Sequence, residues 1–383
     1  MTVTCANGCE MQVRNCDWKP QECTECEGRH APAISQPMHF KKQDDTMDSI
    51  MNSCTAMLLQ ACESPLITLR AGNKNVQNST SVPEFHFIQL SEVPDLQPVL
   101  FGLFLFMYLL ALFGNLIIIL TVSSDSHLHT PMYFFLSNLS IVDIGFISTT
   151  VPRLIVDIQT HFQVISYVGC LTQMSLIIIF ACMDDMLLTV MAYDRFVAIC
   201  HPLHYQVIMN PNRCGALLLG SFLLSLAELL LHYVAILNFS NCEDFSEISN
   251  FFCDPSEVLK LVHLNPVINT IFIFSIGTLF GLLPMSGILF SYFKIVSSII
   301  RTPSSSGKHK AFSTCGSHLS IVCLFYGTGV GLYLSSFLSH SPRNNALVSV
   351  MYTVVTPMLN PFIYSLRNKD IKTSLRKILS RTF

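Results

Sequence analysis

The feature that most constrains this chain is a series of seven apolar stretches after residue 97, each of about 20 residues or more. About 20 mostly apolar residues are what a helix needs to cross the hydrocarbon core of a bilayer. Such stretches are expected to be helical, because lipid offers the backbone no hydrogen-bond partners. The period-two alternation of a membrane β-barrel strand is absent. The stretches cover about 98–122, 132–151, 170–193, 214–237, 266–293, 311–337 and 346–366.

This pattern predicts an all-α membrane protein, a seven-transmembrane helix bundle over residues 98–366. Charged residues make up 12% of the chain, about half the usual share of a soluble protein, and they are denser in residues 1–97 than after them. Residues 1–97 are therefore predicted to be a mostly disordered tail, with a gene-model extension as the alternative. A net charge of −3 gives no indication of a nucleic-acid partner.

The distribution of Lys and Arg predicts the orientation, because cytoplasmic connections carry an excess of these residues. One side has Arg153, Lys260 and Arg343. The other side has twelve, namely Arg195, Arg213, Lys294, Arg301, Lys308, Lys310, Arg367, Lys369, Lys372, Arg376, Lys377 and Arg381. We therefore expect a multi-pass plasma-membrane protein with an extracellular N-terminus and a cytoplasmic tail over residues 367–383.

The N-terminal and C-terminal tails each contain recognisable sequence features. In the C-terminal tail, Ile371, Leu375, Ile378 and Leu379 lie opposite a basic face, which predicts a short amphipathic helix on the lipid bilayer. Residues 1–62 hold seven cysteines, for which zinc binding and disulfides are both weaker interpretations than an unstructured extension. No metal site is predicted. Asn78 begins an Asn-Ser-Thr glycosylation sequon.

Six motifs stand in order at the ends of the apolar stretches, and together they are specific. The motifs are Gly114-Asn115, Leu128-His-Thr-Pro-Met-Tyr-Phe-Phe-Leu-Ser137, Met191-Ala-Tyr-Asp-Arg-Phe-Val-Ala-Ile-Cys200, Ser291-Tyr292, Lys310-Ala-Phe-Ser-Thr-Cys-Gly-Ser-His-Leu319 and Pro357-Met-Leu-Asn-Pro-Phe-Ile-Tyr-Ser-Leu-Arg-Asn368. In these motifs, over about 83–378, the chain closely resembles a vertebrate olfactory receptor. Olfactory receptors are rhodopsin-like G protein-coupled receptors, and the chain resembles those of the tetrapod-type class. The sequences of its motifs are most similar to those of olfactory family seven.

The resemblance implies a function and partners. It implies binding of small, mostly apolar odorants within the bundle and activation of an olfactory-type stimulatory G protein, which raises cAMP. It implies no enzymatic activity. A receptor of the same fold for a non-odorant ligand in another tissue, or a non-functional relic, are the alternatives.

The resemblance also implies an activation and G-protein-coupling machinery. From the residues alone, Asp194 and Arg195 are neighbours of opposite charge, and Pro361 removes a hydrogen bond from the helix that contains it. The resemblance implies that these residues switch between two states, with Arg195 meeting the G protein. The full set is Asp194, Arg195, Tyr292, His318, Asn360, Pro361 and Tyr364.

Polar groups at membrane depth usually face the interior of a bundle. Asp143, Asp184 and Asn360 are such groups, and two carboxylates with an amide suit Na⁺. The resemblance implies a sodium site in the bundle core, and a protonated, hydrogen-bonded cluster is the alternative. No other cofactor is expected. Glu228 and His232 are four residues apart and share a helix face, so a pair between the two side chains is one interpretation, lining the pocket or facing a neighbouring helix, and an ordinary structural role is the alternative.

A disulfide and a ligand pocket are likewise implied by the resemblance. The disulfide joins Cys170 to Cys253, whereas Cys242 has no partner because His263 stands where the family has a second cysteine. Ile177 replaces the aspartate of amine receptors, which disfavours a cationic amine as ligand. The expected pocket residues are Ile177, Ile178, Ala181, Cys182, Ile276, Phe280, Tyr326, Val330 and Tyr333.

Overall fold

The computed structural model of the chain describes residues 2–4, 10–12, 84–90, 93–160, 163–239, 246–261, 266–301, 305–338 and 342–382. The Asn78 sequon, the cysteines of the tail, Cys242 and His263 lie outside these residues, as does the side chain of Tyr333. The chain divides into two units, residues 1–78 and 79–383. The first unit contains strands β1 (Thr2–Thr4) and β2 (Glu10–Gln12), which pair antiparallel.

Seven helices of the second unit are long and apolar enough to cross a membrane, which confirms the predicted fold class. A shorter amphipathic helix, α8, follows them. The helices are α1 (Gln97–Ser124), α2 (Pro131–Thr160), α3 (Tyr167–Cys200), α4 (Pro211–Phe239), α5 (266–301), α6 (Ser305–Leu338), α7 (342–367) and α8 (Lys369–Thr382).

Several helices extend beyond the apolar stretches from which they were predicted. Helix α2 has 30 residues and contains Pro152 in its interior, although its apolar stretch stops at 151. At about 1.5 Å per residue it spans roughly 45 Å, more than the ~30 Å of a hydrocarbon core. Its polar last turns stay helical because Arg153 pairs with Asp157 at 2.7 Å, one turn further on.

Two of the helices contain a wider π turn. In α5 it covers Gly277–Leu282, between Pro266–Ile276 and Leu283–Arg301. In α7 it covers Met351–Val355, between Pro342–Val350 and Thr356–Arg367. A π turn inserts a residue into the helical repeat, so it changes which side chains face the interior after it.

The close approach of α1 and α7 explains the glycine of the first motif. A Cβ added to Gly114 would lie 2.8 Å from Cγ of Pro361, closer than side chains tolerate. Only glycine fits there, because the proline ring occupies the space that a side chain would need.

Large apolar side chains cover the outside of the bundle. Phe106, Phe113, Leu230 and Phe293 are each at least 60% exposed. Contiguous apolar exposure of this kind is unusual for a soluble monomer and is expected of a surface that meets lipid.

The two ends of the bundle are named by residues of α3, which runs from one to the other. The disulfide end holds Cys170, and the Arg195 end holds Asp194 and Arg195. At the disulfide end, β3 (Glu84–Phe87), β4 (Val164–Ser166) and β5 (Ser246–Ile248) form a sheet in the order β4-β3-β5. Strand β3 pairs antiparallel with β4 and parallel with β5.

Strand β3 places four residues of the predicted N-terminal tail in a sheet. Phe85 and Phe87 are buried, whereas His86 between them is exposed. This alternation is that of a half-buried strand, and the sheet supplies the backbone hydrogen bonds that a lone tail lacks.

Candidate functional site

The polar core lies between α2, α3 and α7. The Asn360 amide donates hydrogen bonds of 2.9 and 3.1 Å to the two carboxylate oxygens of Asp143. Asp184 is 3% exposed and close enough to Asp143 for the two carboxyl groups to interact electrostatically. The structure therefore brings the three predicted residues together.

Three buried oxygens around this core have no hydrogen-bond partner among the described residues. They are Oδ1 of Asp184, of Asn360 and of Asn115. A buried oxygen without a donor is costly, and hard cations prefer oxygen ligands. These residues consequently fit Na⁺, which is the ion that the sequence suggested.

Asn115 repairs the hydrogen bond that Pro361 removes. In a regular helix the N–H of residue 361 would donate to the carbonyl of Pro357, but proline has no N–H. The Asn115 amide donates to that carbonyl at 3.3 Å, and to the Ala111 carbonyl at 3.1 Å. The sequence showed Asn115 only as part of a motif, because a partner 242 positions away leaves no local signal.

At the Arg195 end, Arg195 and Asp194 form a buried ion pair through two guanidinium nitrogens. The hydroxyl of Tyr205, in the short helix Tyr205–Ile208, donates to Asp194 Oδ1 at 2.7 Å. Burial and the Asp194 carboxylate raise the pKa of the Tyr205 hydroxyl. The sequence reasoning missed Tyr205, which lies beyond the end of the Met191–Cys200 motif.

Helices α5 and α6 are fastened to α3 through a histidine. Tyr292 and Nδ1 of His318 are 2.7 Å apart, and His318 Nε2 is 3.1 Å from the carbonyl of Leu188. This geometry assigns the hydrogen to Nε2, which donates to the carbonyl while Nδ1 accepts from Tyr292. Tyr364 of α7 reaches the same helix, with its hydroxyl 3.9 Å from Met191 Sδ.

The expected pocket residues fall into two groups. Most are buried, at 9% exposure or less, and Cys182, Ile276 and Phe280 pack in one cluster with Met186. Val330 does not join them, because it is 47% exposed on a face of α6 that no neighbouring helix covers. The buried members are Ile177, Ile178, Cys182, Ile276, Phe280 and Tyr326, and Ala181 is half-buried.

A hydrogen bond beside this cluster links α6 to α3. The Tyr326 hydroxyl donates to the buried carboxylate of Asp185. The sequence assigned Asp185 no role, because its neighbour Asp184 points about 100° away on the helix. Asp184 therefore lies beside Asp143 in the polar core, whereas its neighbour Asp185 accepts from Tyr326.

Glu228 and His232 do not pair through their side chains, which contradicts the first interpretation of their spacing. His232 Nδ1 lies 2.9 Å from the backbone carbonyl of Glu228, and its ring contacts Phe272 edge-on. The Glu228 carboxyl instead lies close enough to Cys182 of α3 for the two groups to interact electrostatically.

The disulfide end is closed by bonds to three helices. Cys170 and Cys253 form a disulfide with a Cα–Cα distance of 5.4 Å. Gln173 of α3 accepts from the Cys253 N–H and donates to the Thr149 carbonyl, both at 3.0 Å. Asn250 donates to Ser349 of α7 at 2.8 Å. The described part of the connection between α4 and α5, residues 246–261, is thus fixed to α3 and α7.

The family model described as "Olfactory receptor" matches residues 104–382. The chain belongs to the olfactory receptor family. The curated relatives of this family that it matches include two members of olfactory family seven. The human protein named Olfactory receptor 7E24 is 66% identical over 305 residues, which is 80% of this chain and 90% of the relative. Olfactory receptor 7E178 of Mus musculus is 62% identical over 306 residues, or 80% and 92%.

A solved structure shows the same fold for this olfactory receptor family member. Squid rhodopsin matches with a TM-score of 0.61 at 18% identity, covering 76% of this chain and 88% of that one. The predicted family and fold are confirmed by these findings. Seven spanning helices and the family make it a multi-pass plasma-membrane receptor with a small-molecule ligand and a G protein as partners in general.

Proposed function

We propose that the chain binds small, mostly apolar odorants inside the bundle and activates an olfactory-type stimulatory G protein, so that cAMP rises. The observation that supports this most is the contact of Tyr326 with Asp185, next to the cluster of Cys182, Ile276 and Phe280. A ligand in that cluster would touch both helices that this hydrogen bond joins.

The proposed mechanism is a shift of population between two positions of α6. Helix α6 is held to α3 at Tyr326 beside the cluster and at His318 nearer the Arg195 end. A ligand that binds better when the Tyr326–Asp185 contact is broken favours release of α6 at both points. Release then frees the surroundings of Arg195 for the G protein.

We propose that the disulfide end is extracellular and the Arg195 end cytoplasmic, as the Lys and Arg distribution predicts. The Na⁺ site fits this mechanism. Asp143, Asp184 and Asn360 would hold the ion, which supplies positive charge between the two carboxylates. These residues come from α2, α3 and α7, so an occupied site favours the arrangement that keeps the three helices together.

The test expresses the full chain in cells that contain an olfactory G protein and a cAMP reporter, and applies an odorant panel. We expect a saturable response to at least one small apolar odorant and no response from Arg195→Ala at equal surface staining. Tyr326→Phe keeps the ring but removes the hydroxyl, and it should shift the odorant dose–response curve. A well-displayed receptor that responds to no odorant would contradict the proposal.

A further inference from the structure

The sheet at the disulfide end depends on its middle strand. β4 and β5 each pair with β3 and are not neighbours in the sheet. The N–H of Phe87 donates to the Gln163 carbonyl at 2.9 Å, and the N–H of Ile88 donates to the Asn250 carbonyl at 3.3 Å. Residues just before α1 therefore join the loop before α3 to the loop before α5.

The buried face of β3 packs in a cluster that includes one of the expected pocket residues. Phe85 and Phe87 are 8% and 5% exposed and pack in one cluster with Ile165, Ile248 and Ile178. Ile178 is an expected pocket residue, and Cys182 follows it one turn later on α3. Phe272 packs against both this cluster and the pocket cluster, so apolar contacts run from β3 to the pocket cluster.

The three strands are not anchored equally. β4 runs directly into α3, and the Val164 carbonyl accepts from the Arg153 guanidinium at 2.5 Å. The loop of β5 is fixed by the disulfide at Cys253 and by Asn250. For the described side chains of β3, Phe85, His86 and Phe87, the structure shows no side-chain hydrogen bond or ion pair. Backbone bonds and two phenylalanines hold β3 in place.

We infer that residues 84–87 form a removable roof of the ligand site and that odorants enter when β3 leaves the sheet. Neighbouring strands lie about 4.8 Å apart, so the axes of β4 and β5 are roughly 10 Å apart with β3 between them. Departure of β3 would leave an opening about one strand wide, through which a small organic molecule can pass between two anchored edges. The inference rests on the proposed function in that the site beneath the roof is the proposed odorant site.

The roof is tested without any ligand, through the reactivity of Cys182 in the intact receptor on cells. A small, membrane-impermeant methanethiosulfonate is added outside, and labelling at Cys182 is followed by mass spectrometry. Phe85→Ala with Phe87→Ala should raise the labelling rate at least ~tenfold, because the roof loses both buried rings. His86→Ala, on the exposed side of the same strand, is the matched control and should change the rate less than ~twofold.

A cross-link tests the opposite change, because it holds β3 in the sheet. It does not depend on a variant that weakens the fold. His86 and Val164 face each other in the antiparallel register, without the ladder hydrogen bonds that join Phe87 to Gln163. Such a pair has the short Cα separation that a disulfide needs. His86→Cys with Val164→Cys should lower Cys182 labelling at least ~fivefold and slow the onset of an odorant response, relative to His86→Cys alone.

The outcomes separate this inference from the proposed function. Equal Cys182 labelling in the parent receptor, the double alanine variant and the cross-linked receptor would contradict the inference that β3 covers the site. Ligand entry would then be from the bilayer. An odorant response with unchanged onset in the cross-linked receptor would contradict that inference too, with the odorant function intact. Altered labelling with no odorant response at all would support the roof and contradict the odorant function.

Discussion

The disulfide end and the Arg195 end of this receptor are held together by different kinds of bonds. At the disulfide end, a covalent Cys170–Cys253 bond and a three-stranded sheet join loops that are far apart in sequence. At the Arg195 end, separate segments are joined instead by single side-chain contacts, such as Tyr205 to Asp194 and Tyr292 to His318. The disulfide end is held by a covalent bond and by a backbone sheet in which only β3 lacks a side-chain anchor among its described side chains, whereas contacts at the Arg195 end can be exchanged one at a time.

This difference suits the proposed mechanism, in which the ligand site stays linked by its disulfide while the contacts around Arg195 change. A side-chain hydrogen bond is worth roughly 1 kcal/mol net, so several can be exchanged at modest cost. Breaking a disulfide that closes a long loop costs more. Variants that disturb one end, the other end or the polar core between them test this difference.

Removal of the disulfide should have the largest effect. Cys170→Ser opens a cross-link between residues 83 positions apart, which is expected to cost about 2–5 kcal/mol of stability. We expect little receptor at the cell surface and a lower melting temperature for the material that can be purified. Cys323→Ser, at an exposed free cysteine, is the control and should be displayed normally. Normal display of Cys170→Ser would mean that the sheet alone holds this end.

Removal of one contact at the Arg195 end should change signalling more than stability. Tyr205→Phe deletes only the hydroxyl that donates to Asp194. Asp194 is the ion-pair partner of Arg195, so the loss of this hydrogen bond should weaken the fixed position of that pair. A hydrogen bond to a charged group is worth about 1.5–3 kcal/mol, so we expect basal cAMP to rise several-fold at equal surface staining.

Tyr193→Phe is the matched control for that variant, because its ring is 40% exposed on α3 near the same end. It should leave basal cAMP unchanged. If Tyr205→Phe also left basal cAMP unchanged, the Arg195 end would be as firmly held as the disulfide end, and the contrast between them would fail.

The polar core between the two ends should respond to Na⁺. Replacing Na⁺ by choline should lower the melting temperature of the purified receptor by roughly 2–4 °C, because an ion that binds only the folded state stabilises it. Asp184→Asn should abolish the difference, while Asp157→Asn, outside the core, should keep it. Identical melting in both salts would leave the cluster as a protonated, hydrogen-bonded group.

The smallest expected effect concerns α8, which packs beside the Arg195 end. Asp125 accepts from the Ser374 hydroxyl at 2.6 Å and from the His127 N–H at 3.0 Å, and these hydrogen bonds lower its pKa from the ordinary 3.8. A carboxyl whose pKa is lowered by folding contributes stability above the unfolded pKa and loses it as the pH falls through the folded value.

Amide hydrogen exchange in α8 measures this contribution. Exchange should be slow at pH 7 and should accelerate below about pH 4, beyond the intrinsic pH dependence of exchange. Ser374→Ala should exchange faster at pH 7 and lose most of that acceleration. A Ser374→Ala profile that follows the parent at every pH would show that Ile371, a fully buried residue of α8 itself, holds the helix without this hydrogen bond.

The site was only partly readable from the sequence. Asp143 and Asn360 were predicted to lie together, and the structure joins them by two hydrogen bonds. Tyr326 was expected to line the pocket, but its partner Asp185 had no assignment. The pairing of Glu228 with His232 was wrong at the side-chain level, because spacing along one helix does not reveal which groups a neighbouring helix presents. The roles of all these residues in binding and signalling stay predictions.

The sequence by itself determined the membrane fold and the family. Apolar stretches long enough to span a bilayer must become helices, since lipid cannot satisfy the hydrogen bonds of the backbone. The six motifs are short contiguous segments, so they can be recognised in the sequence without a structure. Only the tertiary structure decided the contacts between distant residues, such as Asn115 with Pro357 across 242 positions and Tyr326 with Asp185 across 141. The same holds for β3, because a strand of four residues acquires its meaning from the partners that complete its hydrogen bonds.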